Sequence, residues 1–197
     1  MCVVGDVLRS RKAHGVHQVL PLADEIRVRV RRLGLQALHG PVWAKRGNCS
    51  FEQGGNGVLG TPSMPRGVVP MGHERILLFK KPGPYRSTTP SLREAARLAP
   101  HDAAAAYRDI WTDVPGASTR GGHPAPFPLA LARRIILSQT FPNDTVCDPF
   151  SGSGTTAAAA LETGRNSVGI EICGEHFRAG VRRVQAAAAA FAGLRAA

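Results

Sequence analysis

The stretch from Thr145 to Ile172 constrains the fold more than any other part of the sequence. Thr145-Val146-Cys147 reads as a short strand, and Asp148-Pro149-Phe150-Ser151-Gly152-Ser153-Gly154-Thr155-Thr156 follows it directly as a glycine turn. A helix is expected from Thr155 to Glu162, stopped by Gly164, and a second strand from Ser167 to Ile172 that ends in acid. Strand, glycine turn, helix and strand within about thirty residues form the first half of a Rossmann-like nucleotide-binding unit, so the fold class is α/β. Gly152 and Gly154 would permit unusual backbone dihedrals and leave no Cβ between the loop and a ligand. Glu171, 23 residues after Asp148, stands where an acid can accept hydrogen bonds from both hydroxyls of a ribose. The loop has neither G-x-G-x-x-G nor Gly-Lys-Ser/Thr, which argues against NAD and ATP. A tight strand-to-helix turn with no ligand is the plainer alternative.

Other segments supply the rest of such a fold. Met1 to Asp6 is an apolar run closed by a Gly-Asp turn signal, and Leu22, Ile26, Val30 and Leu33 lie at helical spacing between Pro21 and Gly34. Leu35 to Trp43 and His73 to Lys80 read as strands, and Arg46 to Gly72, rich in Gly and Pro, as a long loop. Ser91 and Glu94 form a capping box for a short helix that stops at Pro100, with a further helical piece leading toward Trp111. A helix through Phe127, Leu131 and Ile135 precedes the glycine unit, and an alanine-rich helix closes the chain. The division this suggests is 1–81, a compact insert at 82–120, and 121–197.

Charge is uneven: residues 1–100 hold 16 Lys/Arg against 6 Asp/Glu, and residues 101–197 hold 9 against 8, for a net +11. A basic first half suits a polyanionic partner through counterion release, or is a solvated basic surface. Cys2, Cys49, Cys147 and Cys173 have no metal-ligand spacing, so they are expected to be reduced thiols, with Cys147 in the core and no metal bound. No apolar run approaches the roughly 18 to 20 residues of a membrane span, and no signal-peptide pattern opens the chain, which points to the cytoplasm.

The flanks of the glycine loop carry a resemblance. Asp148-Pro149-Phe150-Ser-Gly-Ser-Gly-Thr-Thr resembles the cofactor motif of DNA methyltransferases that modify adenine N6 or cytosine N4. Gly122-His123-Pro124-Ala125-Pro126-Phe127-Pro128 resembles the preceding motif of their circularly permuted subgroup, and Gly164-Arg165 with Val168-Gly169-Ile170-Glu171 resembles the second cofactor strand. His73-Glu74-Arg75 leading to Phe79-Lys80-Lys81-Pro82, Val4-Gly5-Asp6 and Trp43-Ala44-Lys45 look like landmarks of the catalytic region, in the same order.

The resemblance implies a Rossmann-like fold that binds S-adenosyl-L-methionine and methylates an exocyclic amine of a base flipped out of double-stranded DNA, as in restriction-modification. It implies cofactor contacts from Asp148, Pro149, Phe150, Gly152, Ser153, Gly154 and Thr155, a ribose contact from Glu171, and closure of the pocket by His123, Pro126 and Phe127. His123 could instead cap the next helix, Phe127 could be core, and Asp6 is a turn former or a DNA contact. Arg46, Arg66, Lys80, Lys81, Arg86 and Arg120, in the loop and the insert, are candidates for DNA contact or solvated surface.

An exocyclic amine is a weak nucleophile, and the family supplies its proton acceptor and aromatic platform in one tetrapeptide: Asp, Asn or Ser, then Pro-Pro, then an aromatic residue. In the permuted order it lies upstream of the segment that Val4-Gly5-Asp6 resembles, so the expectation is a truncated or split enzyme with no assignable catalytic residue. An inactive remnant that binds DNA or S-adenosyl-L-methionine is the alternative, and a protein or small-molecule methyltransferase is disfavoured by the basic first half. Pro82-Gly83-Pro84-Tyr85 is the nearest string and reads as a turn. One central strand would be missing beside Thr145–Asp148, leaving open edges that favour marginal stability or pairing with a second polypeptide.

Overall fold

A computed structural model describes residues 1–9, 14–15, 18–45, 59–60, 67–68, 72–116 and 127–196. The chain divides into two units, Met1–Tyr85 with Arg108–Gly116, and Arg86–Tyr107 with Ala117–Ala197. Among the described residues, no helix is long and apolar enough to cross a membrane.

The first unit is built around one long strand. β1 (Cys2–Val4) is followed by a hairpin of β2 (Val7–Arg9) and β3 (Gln18–Leu20), helix α1 (Leu22–Arg32), β4 (Gln36–Leu38), β5 (Val42–Ala44), a small β6 (Leu59–Gly60) and β7 (Gly67–Val68) pair, and β8 (His73–Lys80). β8 takes β1, β4 and β5 as antiparallel partners, and β5 pairs in parallel with β9 (Ile110–Trp111). Ile76, Leu77, Trp43, Trp111 and Val114 are buried, and the Trp43 Nε1–H donates to the Val114 carbonyl at 2.7 Å.

The single strand expected from Leu35 to Trp43 is interrupted at His39-Gly40-Pro41. A Cβ on Gly40 would lie 1.9 Å from the Ile76 carbonyl oxygen, so only glycine fits there, and the Ile76 N–H donates to Pro41 O at 3.0 Å. Helix α1 begins after Pro21, which makes no side-chain cap. Asp6 does the capping from across the chain, its Oδ1 accepting the Ala23 N–H at 3.1 Å.

The second unit contains α2 (Pro90–Ala95), α3 (Pro100–Ala106), α4 (Leu129–Gln139), β10 (Thr145–Asp148), α5 (Thr155–Glu162), β11 (Asn166–Gly169) and α6 (Gly174–Ala196). α2 is capped by Thr89 rather than by the expected Ser91–Glu94 box: Thr89 Oγ1 accepts the Leu92 N–H at 3.1 Å, because Pro90 presets the first helical position. Glu94 pairs with Arg97 instead.

β10 and β11 run parallel, with Asp148 opposite Gly169, and among the described residues they form a two-stranded sheet. Ala132, Ile136, Ala159 and Ala160 make a core of small and branched side chains, packed against Val146 and Phe127. Alanines let α4 and α5 approach closely. Buried Arg165 closes the far end of this core, donating from Nε and Nη2 to Thr140 Oγ1 and O at 3.1 and 2.9 Å and from Nη1 to Thr163 O.

Cys147, expected in the core, is exposed. Side chains alternate along β10, so Val146 meets the helices and Cys147 points to the other face.

Candidate functional site

The site is assembled where β10 and β11 end. Asp148, the last residue of β10, holds the turn with both carboxylate oxygens: Oδ1 accepts the Phe150 N–H at 3.0 Å and Oδ2 accepts the Thr156 hydroxyl at 2.6 Å. The Ser151 N–H donates to Ile170 O and the Gly154 N–H to Ser151 O, at 2.9 and 2.8 Å. Gly152 and Gly154 have φ of 52° and 75°, which glycine adopts without strain.

Gly154 also meets a second demand, and it differs from the expected clearance for a ligand. Its Cβ would lie 2.9 Å from Gly180 Cα, so at this position the missing side chain makes room for helix α6.

Glu171 lies just beyond β11, which ends two residues earlier than its expected acid end. Its Oε2 accepts the Gly152 N–H at 2.7 Å and its Oε1 the Cys173 N–H at 2.8 Å. These backbone donors, Cys173 first and Gly152 second, hold its carboxyl below the ordinary glutamate value. Each oxygen keeps lone-pair capacity for a further donor. Phe150, 89% exposed, and the fully exposed Ile172 stand on the two loops that meet at the Ser151–Ile170 bond. An ionised carboxylate with spare acceptor sites, beside a glycine loop and two bare apolar side chains, fits a ligand with a hydroxylated ring and an apolar face.

The remaining sequence candidates fall in different places. Pro149 is exposed, Ser153 half-buried and Thr155 buried, its Oγ1 accepting from Arg183 Nη1 at 2.6 Å. The Phe127 side chain packs on the helical core. His123, Pro126, Arg46, Arg66 and Arg120 lie outside the described residues. Lys80 Nζ donates to Gly83 O at 2.6 Å and sits 4.3 Å from the Tyr85 ring centroid, so Pro82–Tyr85 is a turn tied to β8. Lys81 is exposed. Arg86 gives both terminal nitrogens to Asp144, at 2.8 and 3.3 Å, and stacks over Phe141. Among the described residues, no His, Cys, Asp and Glu group could hold a metal ion.

Sequence reasoning missed Gly180 and Arg183, both in the closing helix. The available signal was Gly180 itself, a glycine inside an alanine-rich helix, where it costs stability unless packing requires it.

A family model for DNA methylases of the N6/N4 type matches residues 33–182. The chain belongs to the N6/N4 DNA methylase family. Among solved structures, TTHA0409 from Thermus thermophilus, described as a putative DNA modification methylase and complexed with S-adenosyl-L-methionine, is 36% identical. That match covers 94% of this chain and 68% of that one, with a TM-score of 0.78. Type II methyltransferase M.MthZI of Methanothermobacter thermautotrophicus is 36% identical over 71% of this chain and 41% of its own length. Type II methyltransferase M.MjaI of Methanocaldococcus jannaschii is 33% identical over 86% and 55%. The methylase chain thus spans about half the length of the curated relatives it matches.

Proposed function

We propose that this methylase binds S-adenosyl-L-methionine at the glycine loop and methylates the exocyclic amine of adenine (N6) or cytosine (N4) in flipped-out bases of cytoplasmic double-stranded DNA. The observation that carries the reading is Glu171, held ionised against the Gly152 N–H with acceptor capacity left for a ribose. The cofactor of the Thermus relative supports the same ligand. In this reading Asp148 shapes the loop, Phe150, Gly152, Ser153, Gly154 and Thr155 line it beside Pro149, and His123 and Pro126 close it, while Phe127, packed on the helical core, anchors that segment. Bound there, the cofactor supplies an electrophilic methyl group on a sulfonium.

Transfer also needs a proton acceptor and a platform for the base. The 197 residues contain no adjacent prolines, so we assign the Pro-Pro-aromatic tetrapeptide to a segment outside them, in the same or a second polypeptide.

Calorimetry with S-adenosyl-L-methionine, then transfer of labelled methyl groups to unmethylated mixed-sequence DNA with and without the segment encoded immediately upstream, tests both parts. The expected result is cofactor binding by the chain alone and transfer only with the added segment. Binding without transfer in either case would favour an inactive remnant, and transfer by the chain alone would overturn the assignment of the tetrapeptide.

A further inference from the structure

The glycine loop is gripped from behind as well as from the ligand side. Gly180 and Arg183, three residues apart on one face of α6, both reach it. The closeness of Gly154 to Gly180 leaves no room for a side chain at Gly154. A Cβ on Gly180 would meet Gly154 N at 3.3 Å and Gly152 O and Ser153 C at 3.4 Å, so it touches the backbone of three successive loop residues. Arg183 Nη1 then bonds Thr155 Oγ1 at 2.6 Å, at the first residue of α5, where loop becomes helix. Thr155 is only 6% exposed, so this charged hydrogen bond acts on a side chain largely withdrawn from water.

From this geometry we propose that Gly180 and Arg183 are positioning residues for the cofactor: they set the backbone of residues 152–155 from the helix side, without contacting the ligand. The inference rests on the reading of the loop as the S-adenosyl-L-methionine site. Its physical basis is that Gly152 and Gly154, both at positive φ, leave the backbone between them free to turn, so its placement depends on what packs against it from each side. Glu171 fixes Gly152 on the ligand side, and α6 supplies the opposing constraint. With both present the loop is preorganised, so ligand binding need not order it.

The test is calorimetric titration of S-adenosyl-L-methionine into the full chain, well below its melting temperature, with thermal unfolding of each ligand-free variant alongside. Arg183→Met and Thr155→Val should each weaken binding about tenfold, the equivalent of one hydrogen bond to a charged group. The double variant should be no worse than either single one, since both remove the same bond. Arg183→Lys and Thr155→Ser, which keep a donor and an acceptor, should recover part of the loss. Gly180→Ala, which displaces the loop by a few tenths of an ångström, should weaken binding several-fold, less than Arg183→Met.

Lower melting temperatures with unchanged affinity in all these variants would reduce α6 to a structural buttress and overturn the proposal. If the unaltered chain binds no S-adenosyl-L-methionine, the reading of the site fails and takes this inference with it. Normal binding by the parent and by Arg183→Met sinks the inference alone.

Discussion

Glu171 and Gly154 show which residue-scale facts a sequence can carry. The 23-residue spacing from Asp148 put an acid at the right strand end, and the structure gives its carboxylate two backbone N–H donors. Because these donors stabilise the charged form, the carboxyl titrates below the ordinary glutamate value. The stabilisation it contributes is therefore complete above that value and lost only as the pH falls through the lower folded-state value. Affinity for S-adenosyl-L-methionine, followed by calorimetry, should stay flat down to about the ordinary glutamate range and drop below it. Glu171→Gln should weaken binding about tenfold or more at neutral pH, the scale of hydrogen bonds to a charged group. Gly154→Ala should cost about 1–3 kcal/mol in a denaturant titration, for φ of 75° and for the approach to Gly180. The positive φ was legible from the glycine-rich loop. The approach to Gly180, the exposure of Cys147 and the bond from Arg183 were not, because each depends on what another element places opposite the residue.

At the scale of elements, periodicity and punctuation located β8, β10, α5 and the body of α1, whose apolar spacing or glycine stops are local. Boundaries set by long-range partners escaped. β4 and β5 part at Gly40 because the Ile76 carbonyl lies against it, and the β2–β3 hairpin carried no turn signal strong enough to read. α1 is the instructive element. Its start looked sufficient with Pro21, yet the acceptor at its N-terminus is Asp6, seventeen residues from Ala23. Asp6→Ala should therefore destabilise the protein by about 0.5–2 kcal/mol, the usual loss on removing a cap. Urea unfolding combined with DNA retention separates this from a role in DNA contact: a cap loss lowers the midpoint and leaves affinity for DNA intact, whereas a base or phosphate contact would do the reverse.

For the whole molecule, net charge sets a prediction that no single contact does. The +11 charge, with 16 Lys/Arg against 6 Asp/Glu in residues 1–100, favours association with a polyanion, and binding of that kind weakens as salt displaces the protein from phosphates. If about three phosphates are neutralised, affinity for duplex DNA should fall roughly 10- to 100-fold between about 50 and 200 mM salt, measured by fluorescence anisotropy. The structure then sorts the cations by what they already hold. The Arg86 guanidinium is committed to Asp144 and stacked on Phe141, and Asp144 is held below the ordinary aspartate value: burial would raise it, but the Arg86 and Phe141 hydrogen bonds and the charges of Arg86 and Arg165 outweigh that. Arg86→Ala should thus lower the melting temperature and leave the salt slope unchanged. Lys81 is exposed and, among the described residues, holds no such partner, and Lys81→Ala should flatten the slope by about one phosphate contact while the melting temperature holds. An Arg86→Ala variant with an unchanged melting temperature and a flatter slope would reverse the assignment and make Arg86 the DNA contact.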